Sequence, residues 1–168
     1  MSSTFPIGVA GRPWGEQERA QWRATQKQRR SYKVDVVSAI EALSNAFERV
    51  AYGEIQYADD AYTLYALRSP LIRSALPNVL VTGGVHGYET SGVFGALAFL
   101  NEVASTFCDR VNLLVAPCIS PWAYERINRW NYDAIDPNRN FRPDGPREAT
   151  ALMELVRSFA GDYLCRVA

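Results

Sequence analysis

The sequence contains a single histidine, His86, and only three cysteines among its 168 residues. One imidazole excludes any mechanism that needs two histidines from this chain. Cys108, Cys118 and Cys165 are too few and too widely spaced for a disulfide framework or a CxxC metal site, and they favour a reducing, cytoplasmic setting. The sequence also lacks an apolar run of about 18 residues and a basic start followed by an apolar core, so we expect neither a transmembrane helix nor a secretory signal.

Charge is balanced overall but unevenly distributed along the chain. The 18 Lys and Arg equal the 18 Asp and Glu, and 48% of the residues are hydrophobic, as in one soluble globular domain. Residues 1–33 carry seven Lys and Arg against two Glu, a net +5, which leaves −5 for the other residues. A basic arm can contact nucleic acid or an acidic partner, but no nucleic-acid motif accompanies it. We interpret it as a solvated helix and expect neither nucleic acid nor a membrane as a partner.

Hydrophobic periodicity and turn residues predict an α/β fold with a mixed sheet. Val36, Ile40, Leu43 and Phe47 follow helical spacing and predict a helix over 34–48. The other predicted helices are 15–30, 90–104, 121–127 and 146–160. The predicted strands are 50–57 and 62–68 joined by an Asp59-Asp60 turn, a wholly apolar strand at 78–82 expected to be buried on both faces, 111–117, and a strand beginning at 162.

A glycine-rich corner between a predicted strand and helix carries the first candidate site. In its sequence, GGVHGYETSG, two residues separate His86 from Glu89, which can bring an imidazole nitrogen and a carboxylate to one point. Zinc accepts both ligand types. In the alternative interpretation, His86 is an ordinary loop residue and Glu89 is a first-turn acid favoured by the helix dipole. A phosphate-binding loop is disfavoured, because the GK[ST] ending and the GxGxxG spacing are both absent.

The second candidate site is the polar loop at 128–145, which is long for a compact domain. Its arginines and asparagines can bind a carboxylate, since guanidinium groups donate paired hydrogen bonds to planar anions. The alternative is a loop that hydrogen-bonds to itself through Asx turns.

Two segments of the sequence together resemble the zinc metallocarboxypeptidase family, the carboxypeptidase A-like peptidases. They are the glycine-rich corner and, roughly forty residues later, the pattern RxNxxxxDxNRNF. The resemblance covers residues 50–168 and leaves 1–49 as an N-terminal extension with helices. It implies a mixed-sheet α/β sandwich of the zinc carboxypeptidase type, represented by its N-terminal portion. It also implies a zinc-dependent hydrolase that removes C-terminal residues from peptides by means of metal-activated water.

The resemblance assigns a role to each matching position. His86 and Glu89 match the first two zinc ligands of the family. Arg129 matches the catalytic arginine that stabilises the oxyanion. Asn138 and Arg139 match the pair that binds the terminal carboxylate of the peptide or amino-acid-conjugate substrate.

Three functional groups of the family cannot be placed here: a third zinc ligand, which is a histidine on a later strand, a glutamate general base, and a tyrosine that closes over the substrate. Asp133, Asp136 and Cys118 are alternatives for the third ligand, and the spacing favours none of them. We therefore expect these 168 residues to bind zinc weakly and to show little peptidase activity. Unpaired strands of an incomplete sheet would also promote self-association through exposed sheet edges.

Two alternative functions stay open at this point. Zinc amidohydrolases that resemble aspartoacylase also carry a Gly-His-Gly-x-Glu corner, although Tyr88 and the NRNF segment favour the peptidase. A non-catalytic module could instead use Arg129, Asn138 and Arg139 to bind peptide C-termini without a metal.

Overall fold

The computed structural model describes residues 6–43, 46–58 and 60–160, and its strands form one four-stranded mixed sheet. The strands are β1 (Glu48–Gln56), β2 (Ala61–Arg68), β3 (Asn78–Thr82) and β4 (Asn112–Ala116), in the spatial order β1-β2-β4-β3. β2 is antiparallel to β1 and to β4, whereas β3 and β4 are parallel. Parallel strands need a crossover connection, which is supplied here by a helix.

Five α-helices accompany the described part of the sheet. They are α1 (Glu16–Thr25), α2 (Ser38–Ala42), α3 (Thr90–Glu102), α4 (Pro121–Arg126) and α5 (Arg147–Ala160). α3 is the crossover between β3 and β4. As predicted, α4 begins with Pro121 at its first position, although the preceding Ser120 makes no capping hydrogen bond with its side chain. None of the helices in these residues is long and apolar enough to cross a membrane.

The helix predicted over 34–48 is wrong in its second half. A π-helical turn, Lys33–Val37, leads into α2, and Val36 and Ile40 are buried as their spacing predicts. The backbone becomes extended at Leu43, with ψ at 140°. β1 begins at Glu48, whose register partner is Arg68, so Phe47 is buried beside the sheet and not on a helix face. Residues 44 and 45 lie outside the described residues.

The prediction that strand 78–82 is buried on both faces is also wrong. All five residues of β4 are buried, but no residue of β3 is, and Val79 is 36% exposed. β4 pairs with a strand on each side, β2 and β3, whereas β3 pairs with only one described strand, β4. Position in the sheet thus decides burial here, because both strands are similarly apolar in sequence.

Two predicted features involve residues that the structure does not describe. The Tyr57 amide donates to the Asp60 carbonyl over 2.8 Å and closes the β1–β2 hairpin, but Asp59 lies outside the described residues. The strand expected from residue 162 onward lies outside them as well.

Residues of the first 49 positions share one hydrophobic core with the sheet. Trp22 and Tyr32 are buried in the same cluster as Leu64 of β2. The Tyr32 amide and the Tyr62 hydroxyl donate to opposite carboxylate oxygens of buried Glu125, over 2.9 and 2.7 Å. This shared carboxylate ties the N-terminal segment to β2 and α4. The division into 1–49 and 50–168 remains a prediction.

Glycines allow the corner after β3 to pack directly against the start of α4. Gly84 has a positive φ of 61°, which favours glycine. The carbonyls of Gly83 and Gly84 accept from the amides of Ile119 and Ser120 over 3.1 and 3.0 Å. A Cβ atom at Gly87 would lie 1.9 Å from the Ala123 carbonyl carbon, so only glycine permits this approach.

We expect Gly87→Ala to lower the free energy of unfolding by more than about 3 kcal/mol, because backbone must move to admit the methyl group. Gly95→Ala is the matched control, since a Cβ atom there meets nothing within 4 Å and lies in α3. The control should stabilise the protein by about 0.5–1 kcal/mol through helix propensity. Urea unfolding of both variants measures the difference, and similar values for the two would contradict the packing.

Candidate metal and substrate site

His86 and Glu89 converge in the turn between β3 and α3. His86 is 4% exposed, and its Nδ1 atom lies 3.0 Å from Oε1 of Glu89. The Glu89 side chain is half-exposed, so this pair faces solvent on the glutamate side. The short turn therefore brings together the two residues predicted as metal ligands.

The opposite nitrogen of the same imidazole is held by Asp136. Its Oδ1 atom lies 2.8 Å from His86 Nε2, across 50 residues of sequence. If Nε2–H donates to this carboxylate, the lone pair of Nδ1 points towards Glu89. A carboxylate behind a metal-binding histidine fixes the tautomer and the ring orientation in this way.

The geometry of this pair suits a zinc ion. Nitrogen and oxygen ligands about 2.0–2.2 Å from a tetrahedral zinc are roughly 3.3 Å apart, and the observed separation is 3.0 Å. A shift of a few tenths of an ångström at the half-exposed Glu89 accommodates the ion. No cluster of three or more His, Cys, Asp or Glu able to hold a metal occurs among the residues that the structure describes.

The structure supports none of the three alternatives for a third ligand. Asp136 binds the nitrogen that faces away from Glu89. Cys118 is 1% exposed in the hydrophobic core, where burial raises the pKa of its thiol and disfavours the thiolate that a metal needs. Asp133 joins no described metal cluster. Among the described residues, the corner thus brings together two candidate metal ligands, His86 and Glu89.

Asp136 also contacts the other residues predicted for the site. Oδ2 accepts from Nε and Nη2 of Arg129 over 3.1 and 2.9 Å and lies 3.6 Å from Nε of Arg139. Oδ1 accepts from the Asn138 amide over 3.1 Å. Burial acts to raise the pKa of this carboxyl, but the hydrogen bonds and charges of His86 and Arg129 outweigh it and hold the pKa below its usual value.

Arg129 keeps donors available while it is held in place. Its Nη1 atom donates to the Tyr88 hydroxyl over 3.0 Å, and the Tyr88 ring stacks on the His86 ring at a centroid distance of 5.7 Å. A guanidinium group has five N–H donors. The hydrogen bonds to Asp136 and Tyr88 use three of these donors. One N–H on Nη1 and one on Nη2 therefore stay available for a further acceptor.

Asn138 and Arg139 lie on an exposed turn beside an apolar cavity. The turn, Pro137–Arg139, is 3₁₀-helical, and the Arg139 side chain is 78% exposed. Asn138 lines a cavity of about 510 Å³ between β3 and α5. The apolar residues lining it are Leu80, Val85, Phe141, Leu152, Met153 and Val156. The predicted substrate-binding turn therefore borders an apolar surface.

Sequence reasoning missed the parts played by Asp136 and Tyr88. The sequence suggests Asp136 only as an alternative third ligand, and Tyr88 only as a residue that favours the peptidase resemblance. A sequence signal existed for Asp136, because a carboxylate three positions before a predicted substrate-binding arginine is a natural partner for that charge. Its contact with His86 depends on the tertiary fold.

Solved structures similar to this one include metallopeptidases and carboxypeptidases. A protein of Shewanella denitrificans OS217 assigned as a metallopeptidase gives a TM-score of 0.63 at 26% identity, over 77% of this chain and 47% of its own. A metallo-carboxypeptidase of Burkholderia cenocepacia gives 0.57 at 16% identity, over 87% and 38%. An aspartoacylase family protein of Mesorhizobium loti gives 0.51 at 24% identity, over 68% and 38%. No protein-family model and no curated protein matches the sequence.

The chain therefore has the α/β fold of the metallocarboxypeptidases, which confirms the resemblance and the fold class expected from sequence. It spans less than half the length of each of these three solved chains.

We expect Asp136→Asn to flatten the dependence of stability on pH in the acid range. The folded-state pKa of Asp136 lies below the unfolded value of about 3.9. Its contribution is therefore complete above about pH 4 and is lost as the pH falls through the lower folded-state pKa. Between about pH 4 and 2, the free energy of unfolding should fall more steeply for the natural protein than for the variant.

Asp144→Asn is the control for this comparison. Asp144 is 79% exposed and pairs with Arg142 over 3.2 Å on the surface. This variant should keep the natural slope in acid urea-unfolding experiments, since exposed pairs contribute little. Equal slopes for Asp136→Asn and the natural protein would show that the ion pair does not stabilise the fold.

Proposed function

We propose that the chain is part of a zinc-dependent metallocarboxypeptidase-like hydrolase that removes C-terminal residues from peptides. One observation carries this proposal: the carboxylate that orients His86 also binds Arg129 and lies beside Asn138 and Arg139. The candidate metal ligands and the candidate substrate-binding groups therefore form one site. The low cysteine content of the chain favours a reducing, cytoplasmic setting for the proposed enzyme.

His86 and Glu89 would hold the zinc ion, with Asp136 fixing the imidazole. When bound, zinc supplies a Lewis acid for the scissile carbonyl and lowers the pKa of a coordinated water. Arg129 presents its two remaining N–H donors beside this corner. A fixed guanidinium stabilises negative charge that develops on a substrate oxygen more strongly in the transition state than in the ground state.

Asn138 and Arg139 would bind the free carboxylate at the end of the substrate. Arg139 supplies a guanidinium group with paired N–H donors and Asn138 supplies an amide donor, and both residues are exposed on the turn. Such contacts orient the peptide so that its last bond reaches the corner. Because Arg139 is largely exposed, we expect its contribution to affinity to be modest.

Two other functions are distinguishable by experiment. The similarity to the Mesorhizobium loti protein favours a second candidate, an aspartoacylase-like zinc amidohydrolase acting on amino-acid conjugates. The exposed turn alone would suit a metal-independent module that binds peptide C-termini.

We expect the chain to bind zinc weakly, because only two candidate ligands from the described residues meet in the corner. His86→Gln should abolish this binding in a calorimetric zinc titration, with circular dichroism as the check on folding. Glu102→Gln, at an exposed position near the end of α3, is the control and should bind as the natural chain does. Zinc binding that persists in a folded His86→Gln variant would place the metal elsewhere and contradict the proposed site.

We expect a peptide with a free C-terminal carboxylate to bind more tightly than its C-terminal amide. Arg139→Ala should weaken the free-acid peptide roughly fivefold, the equivalent of about 1 kcal/mol for an exposed charge pair. Arg142→Ala is the matched control, because Arg142 follows closely but pairs with Asp144 on the surface. Fluorescence titration with labelled peptides measures both effects.

The same titrations separate the three functions. Equal affinity for acid and amide peptides would contradict a carboxypeptidase. Peptide binding that requires Arg139 and is unchanged by a chelator and by His86→Gln would favour the binding module. Hydrolysis of an acyl-amino acid, with no hydrolysis of a dipeptide, would favour the amidohydrolase.

A further inference from the structure

Asn131 organises the turn that joins Arg129 to Asp136. It is fully buried, and its Oδ1 atom accepts from the amides of Asp133 and Ile135, each over 3.0 Å. The Asn131 amide donates to the Ile135 carbonyl over 3.0 Å. The side chain thus folds the intervening residues around itself, and its orientation sets how far Arg129 lies from Asp136.

The other end of the Asn131 side chain is buried without a partner. Its Nδ2 atom makes no hydrogen bond to any described residue, and the same is true of the buried Oε2 atom of Glu148. An unsatisfied buried polar group costs about 1–3 kcal/mol. One of these groups is a donor and the other an acceptor, so each has the chemistry that the other lacks.

Two aromatic contacts bring the start of α5 to the loop of Asn131. Tyr57 stacks on Tyr132 at a centroid distance of 4.1 Å, and the guanidinium carbon of Arg147 lies 5.8 Å from the centroid of the Tyr57 ring.

Glu148 follows Arg147 on this well-packed helix. It lies in the first turn of α5 and is 2% exposed. Burial raises the pKa of its carboxyl, while its own backbone amide and the Asn131 side chain act to lower it. α5 packs closely on β1, where a Cβ atom on Gly53 would lie 3.0 Å from Cβ of Ala151. The first turns of α5 are therefore packed against the sheet.

We propose that these two unpaired groups pair with each other after a small side-chain rotation, so that Glu148 is a positioning residue whose buried carboxyl group accepts the Asn131 side-chain amide and holds the turn that places Arg129 and Asp136 beside His86. The carboxyl group can do this in either protonation state, because a protonated carboxyl keeps its carbonyl oxygen as an acceptor. The role in catalysis rests on the proposed function, but the contact itself does not.

Exchanging the donor and the acceptor tests this pairing without changing the volume of the core. Asn131→Asp keeps the oxygen that accepts from Asp133 and Ile135 but replaces the donor by a second acceptor facing Glu148. Glu148→Gln supplies an amide in return. The double variant therefore restores one donor and one acceptor, whereas two residues that only fill space would show additive effects.

Amide hydrogen exchange at Asp133 and Ile135 in the full chain at neutral pH reports the state of the turn. We expect Asn131→Asp to accelerate exchange there about tenfold, and the double variant to return to within about threefold of the natural rate. Glu148→Gln alone should also stay within about threefold, because its amide oxygen still accepts. Exchange at the Leu113 amide in β4 reports global opening of the fold, and its rate should be the same in all these variants. Glu154→Gln, at an exposed position on α5, is the control.

The Arg129 Nε–H resonance in nitrogen-edited NMR spectra reports whether the effect reaches the site. Its shift should change in Asn131→Asp and return in the double variant. If the double variant is no better protected than Asn131→Asp, or is unfolded, the pairing is wrong. If the turn is rescued while the Arg129 signal is unaffected throughout, Glu148 does not position the site. Neither measurement involves zinc or peptide, so the proposed function can fail without affecting this result.

Discussion

The candidate site depends on a single carboxylate, that of Asp136. One oxygen holds the His86 ring and the Asn138 amide, and the other holds the Arg129 guanidinium. Several donors of positive or partly positive charge thus share one anion, which offsets their mutual repulsion. Because the carboxylate oxygens have fixed geometry, the imidazole and the guanidinium cannot shift independently. The turn at 137–139 is built on the same residue, so the predicted substrate-binding pair follows its position.

Charge sharing of this kind explains why the polar loop is ordered by contacts and not by regular structure. Asp136 accepts from side chains of the corner and of the polar loop, and Asn131 accepts from backbone amides within its own loop. Ala134, a residue without glycine's freedom, has a positive φ of 58° in the same turn. Such a backbone is strained and persists where surrounding contacts determine it. The hydrogen bonds of Asn131 hold the backbone of this turn in that conformation.

Local motifs predicted the corner, and tertiary contacts account for what sequence could not supply. The strand-to-helix turn at GGVHGYETSG was predictable because His86 and Glu89 are three positions apart, so their approach needs only local geometry. The His86–Asp136 contact joins residues 50 positions apart and follows from the packing of two loops. The apolar sequence of β3 gave no sign of its exposure, since burial depends on which strands pair. Phe47 fitted a helical stripe equally well, but strand pairing from Glu48 determined its backbone.

The open side of β3 has a consequence for how the sheet can be extended. Its backbone groups on that side are unpaired within the described sheet, and the strand runs directly into Gly83 and the loop of His86. A strand added there in the same direction would lie about 4.8 Å from β3. Such an edge is a template for a further strand, which would pair with the backbone groups that β3 leaves open and cover its exposed apolar residues.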